Sequence, residues 1–221
     1  SWDDGLQNQD EFGVDCGPSC PGPCQPCPDT QELIVNGGFE DTGGSTASGQ
    51  GRLPQGWEQH GVTADTWSND GSFGLSPGEA GHFPSVTAAE GIRWVAGADM
   101  DVGPEAFKGT LAGPVRSGIR YRIEAYIHRD TGTTGFARQN PGSYEVTVLD
   151  SIDTTTGAVV AGQFDAVASD DWEHRSFNFI IDTPATGPGS YSGILLTPVS
   201  EESRTYPGLD ALSMVQVSNC K

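Results

Sequence analysis

The sequence predicts an all-β protein, a two-sheet antiparallel jelly-roll β-sandwich with a small disulfide-rich N-terminal extension. Three observations predict it. Short apolar runs recur from residue 32 onward, separated by Gly, Pro, Asp and Ser, and long helical patterns are missing. The run "RYRIEAYIHRD" alternates: Tyr121, Ile123, Ala125 and Ile127 fall on one side, Arg122, Glu124, Tyr126 and His128 on the other. That period of two marks one buried and one wet face. Thirty-one glycines and fifteen prolines in 221 residues supply turns for many short strands.

Residues 1–30 form a separate cysteine-rich, acidic unit, and residues 31–221 form the sandwich. The first thirty residues hold few core formers (Trp2, Leu6, Phe12, Val14), so crosslinks or an ion must hold them together. The sandwich opens with "ELIVNGGFE". "DTGGSTASGQG" (41–51) follows as a flexible loop, and then "GVTADTW", "GIRWVAGA" and "EAFKGTLAGPV" read as strands. After "RYRIEAYIHRD", "SYEVTVLDS" repeats the alternation with Tyr144, Val146 and Val148 inward, and "WEHRSFNFII" places Phe177, Phe179 and Ile181 on one side. "SGILLTPV" and "GLDALSMVQV" close the chain, giving eight to ten strands with long glycine-rich loops.

Charge narrows the function classes. Thirty acidic residues against eleven basic ones give a formal charge of −19. Such a surface repels nucleic acid and anionic membranes, and it suits divalent cations and neutral or cationic ligands. No stretch is long and apolar enough to span a bilayer as a helix, so membrane insertion is not expected.

Cys16, Cys20, Cys24 and Cys27 fall within twelve residues, and Cys220 is next to last. The CxxC of "CQPC" would suit zinc, but the other spacings are CxxxC and no second, separated CxxC exists. Disulfides are the alternative; they imply an oxidising, extracellular compartment, and the lack of an initiator Met and a signal peptide is expected of either a processed secreted chain or a trimmed sequence. Five is odd, so either Cys220 reaches the N-terminal knot and one thiol stays free, or a further cysteine lies upstream of Ser1. The stretch "DGLQNQDEFGVDCGPSC" resembles a short cysteine-rich motif of bacterial secreted proteins. The motif's leading cysteine is absent here, with Ser1-Trp2 near its place. Side-chain oxygens of Asp3, Asn8, Asp10, Glu11 and Asp15 can surround a second Ca2+, or they can form a solvated acidic turn.

"ELIVNGGFE", "LPQGW", "GIRYRIEAYI" and "GLDALSMV" occur in that order across the chain. The series resembles the galactose-binding-like β-sandwiches that include carbohydrate-binding modules of families four, nine, sixteen and twenty-two. The resemblance implies a structural Ca2+ tying the first strand to the last, held by Glu40 and Asp210 with carbonyls near Gly38 and Ile92. It also implies that Trp57 of "QGW" packs in the core.

A glycan site needs flat aromatic faces beside polar groups. Tyr126 and His128 meet that need on the wet face of their strand, beside Glu124 and Arg122. Trp172, out of register with Phe177 and Phe179, shares the face, and Trp67 in "ADTWSND" lies near the cleft. Trp94 is ambiguous between the two faces. No metal-ligand spacing among the four histidines, no G-x-S-x-G elbow and no local acidic pair argues for catalysis, so a non-enzymatic module is expected. The predicted function is recognition of a polysaccharide or glycan by a secreted, calcium-stabilised domain. The alternative is an adhesive or filament-forming surface protein that self-associates or attaches to a larger secreted assembly.

Overall fold

In the computed structural model the alternating runs become two layers of antiparallel strands. The structure describes residues 31–100, 103–132, 140–153, 155, 157–182, 189–200 and 204–217. The five cysteines and the acidic group Asp3, Asn8, Asp10, Glu11 and Asp15 lie outside these residues. Among the described residues the strands are β1 (Trp57–Gly61), β2 (Asp65–Ser68), β3 (Arg93–Ala96), β4 (Glu105–Arg116) and β5 (Arg120–His128). They continue with β6 (Ser143–Leu149), β7 (Val159–Gln163), β8 (Glu173–Ile180), β9 (Ser190–Val199) and β10 (Gly208–Gln216). The first sheet has the order β1-β4-β9-β6-β7 and the second β2-β3-β10-β5-β8.

Alternation places the core between the sheets. Tyr121, Ile123, Ala125 and Ile127 of β5 are at most 1% exposed, and they share one cluster with Tyr144, Val146 and Val148 of β6 and with Ile194 and Leu196 of β9. Each such aliphatic or aromatic side chain taken out of water contributes about 1.5–3 kcal/mol. The β5–β8 register sets Tyr121 opposite Phe179, their rings stacked at 5.6 Å. Trp57 packs against Phe39 and Phe107, each at 5.4 Å, as its "QGW" context implied. Tyr144 crosses between the sheets: its hydroxyl donates to the Pro207 carbonyl at 2.7 Å and accepts from the Gly97 amide at 2.9 Å. Burial pushes that phenol well above its ordinary value.

Two strands escape the sequence reading. β1 and β7 each sit at the edge of the first sheet, where only part of each strand is covered. Half-covered edges carry a weak alternation signal.

The opening "ELIVNGGFE" is not a full strand but a seam. Glu32 bridges Val215 of β10 and Ile34 bridges Leu111 of β4, so three consecutive residues touch both sheets. The chain then turns sharply, with Asn36 at φ 52° and Phe39 at φ 59°. The Asn36 amide donates to the carbonyls of Asp41 (2.8 Å) and Gln55 (2.9 Å), while its oxygen accepts the Asp41 amide. This turn drives Phe39, fully buried, into the core. A Cβ at Gly37 would lie 1.8 Å from the Leu212 carbonyl oxygen, so only glycine permits the approach. The Leu212 amide donates back to the Gly37 carbonyl at 2.9 Å, at a bulge of β10 where Ala211 has φ 48°. The first described residues are thereby seated on the last strand.

Candidate functional site

The outer face of the second sheet is where Tyr126 and His128 point, and the structure divides it in two. In β3, Val95 faces the main core while Trp94 and Ala96 face outward. The long connection from β2 to β3 folds back over these outward residues and buries them beneath Leu75, Phe83 and Val86. Trp67, directly opposite Trp94 in the β2–β3 ladder, stacks on it at 6.3 Å with 16° between planes. Phe83 packs edge-on to Trp67 at 5.1 Å, and Tyr206 sits 5.3 Å from Phe83. Trp67 is thus fully buried and presents no face to a ligand.

Polar groups pin this cover in place. Asp130, itself fully buried, accepts from the Phe83 amide at 2.8 Å and meets His82 Nδ1 at 2.5 Å. Trp172 Nε1 donates to the Thr87 carbonyl at 2.6 Å. Tyr206 donates to Asp65 at 2.7 Å, and burial beside that carboxylate holds the phenol well above its ordinary value. None of His82, Asp130 or Tyr206 stood out in the sequence. Phe83 and Ser85, with Ala80 before them, adopt left-handed backbone, a signal invisible without coordinates.

The uncovered part of the face carries two neighbouring grooves. One, of about 330 Å³, is lined by Val86, Thr87, His128, Asp170 and Trp172. Trp172 is half-buried, its ring edge-on to His128 at 5.1 Å and to Trp94 at 6.1 Å. His128 is only 2% exposed; its Nδ1 meets the Arg129 carbonyl at 2.5 Å, and burial holds the imidazole below its ordinary 6.5. The other groove, of about 430 Å³, contains Tyr126, His174, Glu124, Glu90, Glu32 and Ser213. Ladder pairing sets Tyr126 beside His174, with rings 5.4 Å apart. His174 Nε2 lies 3.4 Å from Glu124 Oε2, which also pairs with Arg122 at 2.5 Å. From Glu124 to His128 the track runs about 13 Å along β5. Tyr126, His128, Trp172 and Trp67 therefore share the outer face of the second sheet, but Trp67 lies on the part that the β2–β3 connection covers. His174 was missed; its place beside Tyr126 depends on register, which the sequence does not print.

Glu40 and Asp210 meet the same turn, residues 89–93, from two sides. Glu40 Oε1 accepts the amides of Ile92 (2.7 Å) and Arg93 (2.9 Å), which approach because Gly91, at φ 62°, has no Cβ to strike that oxygen. Arg93 Nη1 donates to Glu40 Oε2 and to the Glu40 carbonyl, each at 3.1 Å. Asp210, fully buried, accepts the amides of Glu90 (2.9 Å) and Ala211 (2.7 Å). Burial is the main cause that pushes its carboxyl up to about 7. The Ile92 carbonyl accepts the Asn69 amide at 2.8 Å, and Gly38 lies on the wall of the larger groove. Among the described residues no group of three or more His, Cys, Asp or Glu side chains is arranged to hold a metal.

No family model matches the chain, and no curated protein does. Solved structures do. A cyclase from Fischerella sp. TAU superposes with a TM-score of 0.54 at 13% identity, over 86% of this chain and 98% of that one. The Stig cyclase Fisc from the same organism, in complex with an indole compound, gives 0.53 at 12% identity with the same coverage. The CBM22-1 xylan-binding domain of Paenibacillus barcinonensis Xyn10C gives 0.50 at 14% identity, over 86% of this chain and 96% of that one. The protein is a β-sandwich of the fold shared by CBM22 xylan-binding domains and Stig cyclases.

Proposed function

We propose that this protein is a secreted, non-catalytic carbohydrate-binding domain that takes a polysaccharide or glycan along the β5–β8 face. The observation that carries the reading is the Tyr126–His174 pair, open to solvent beside Glu124, Arg122 and Ser213. Ring faces offer apolar area to the CH side of a pyranose, while carboxylate, guanidinium and hydroxyl groups read its OH groups. Trp172, backed by the buried His128 ring, extends the surface toward the smaller groove. The same fold in a xylan-binding domain supports the ligand class, and the same fold in Stig cyclases means that turnover must be assayed alongside binding.

Affinity electrophoresis on xylan and other polysaccharide gels tests the reading. The wild type is expected to be retarded, and Tyr126→Ala or His174→Ala to lose roughly 1–3 kcal/mol of affinity. Unretarded wild type on every gel, or variants that bind like it, would overturn the assignment. A second reading, self-association in a surface assembly, draws on Val160 and Ile180, exposed at 56% and 45% on the edge strands β7 and β8. A concentration-dependent dimer lost in Val160→Glu would favour it.

A further inference from the structure

We propose that the Arg93 guanidinium, rather than a divalent metal, is the cation that clasps the opening turn onto the sandwich. Calcium requires a shell of six to eight oxygens whose lone pairs face the ion. Here the groups facing the two carboxylates are N–H donors, which would point hydrogen at a cation. Glu40 Oε1 accepts two amides and Asp210 accepts two more. The Ile92 carbonyl, one of the oxygens such a shell would use, accepts the Asn69 amide. The positive charge beside Glu40 is already present as Arg93.

The geometry suits guanidinium in particular. Nη1 serves both the carboxylate and the carbonyl of Glu40, and Nη2 donates to Ser72 Oγ at 2.6 Å. One planar group therefore joins three segments: the turn at 36–41, the start of the covering loop, and β3. A lysine ammonium lacks a second nitrogen to span from Glu40 to Ser72. The Arg93 side chain is 13% exposed and that of Glu40 40%, so the guanidinium is largely shielded while solvent still screens the pair from the carboxylate side.

Thermal melts of the full chain in EDTA and in excess CaCl2, for wild type and Glu40→Gln, test the clasp. The calcium-dependent shift, zero or otherwise, is expected to be the same in both, because any calcium bound elsewhere does not involve Glu40. Arg93→Gln is expected to lower Tm by roughly 5 °C or more, and Arg93→Lys to recover less than half of that loss. Ser72→Ala, which removes one arm, is expected to produce a smaller drop, and it keeps the test readable if Arg93→Gln does not fold. A calcium stabilisation present in wild type and abolished by Glu40→Gln would overturn the proposal. So would an Arg93→Gln chain that melts with wild type.

Discussion

Truncating Phe83 tests whether the β2–β3 connection is a covering layer of the fold or a loosely laid strap. Phe83 is fully buried, and its ring lies 5.1 Å from Trp67, 6.2 Å from Trp94, 6.2 Å from His128 and 5.3 Å from Tyr206. Removing a phenyl from such a site costs about 3–5 kcal/mol when the cavity cannot collapse. If the loop opens on its own, the global loss is capped at the free energy of that local opening. Backbone geometry adds a sign. Phe83 has φ 44°, where a Cβ costs about 1–2 kcal/mol relative to glycine. Phe83→Gly should therefore be no less stable than Phe83→Ala, the reverse of the usual order in extended or helical chain. Urea unfolding followed by tryptophan fluorescence reads both effects, because Trp67 and Trp94 lie directly beneath. Phe83→Ala is expected to lower the midpoint and to shift the native emission to the red. A midpoint within about 0.5 kcal/mol of wild type with unchanged emission would refute the covering role. A Gly variant clearly less stable than the Ala variant would refute the strain argument.

Neighbouring glycines of the opening turn should behave oppositely. Gly37→Ala drives a Cβ into the Leu212 carbonyl and should cost about 1–3 kcal/mol in chemical denaturation, whereas Gly38→Ala meets nothing within 4 Å and should stay within about 0.5 kcal/mol of wild type. Equal effects at the two positions would show that the turn is not seated as described. His128 sets an acid limit. Its folded-state value lies below the unfolded 6.5, so the fold binds fewer protons there than the unfolded chain. Stability is complete above 6.5 and declines as pH falls below it, by at most about 1.4 kcal/mol per unit from this group. His128→Phe should flatten that part of the pH–stability curve; an unchanged slope would place the titration elsewhere.

The sandwich was legible because period-two alternation and glycine-rich breaks are local properties. The strand of residues 120–128 and the inward sets of β6 and β8 follow from side chains pointing alternately to opposite faces, whatever the partners. Trp57 was also readable, as the aromatic of a short motif. The edge strands β1 and β7 were not, since half-covered strands blur the pattern. For the proposed ligand face, alternation named Tyr126, His128 and Trp172, which share the outer side of the second sheet.

Tertiary structure alone decided what covers that face. A twenty-four-residue connection with no periodicity buries Trp67, and the pairing of Tyr126 with His174 rests on the register between two residues forty-eight positions apart. The guanidinium beside Glu40 is of the same kind: Arg93 reaches it only because a glycine turn brings residue 91 against a carboxylate fifty-one positions earlier. Alternation is written residue by residue, so the sequence by itself determined which side of each strand is wet. Contacts between distant segments depend on how loops close and which backbone groups can approach. Those are properties of the folded chain.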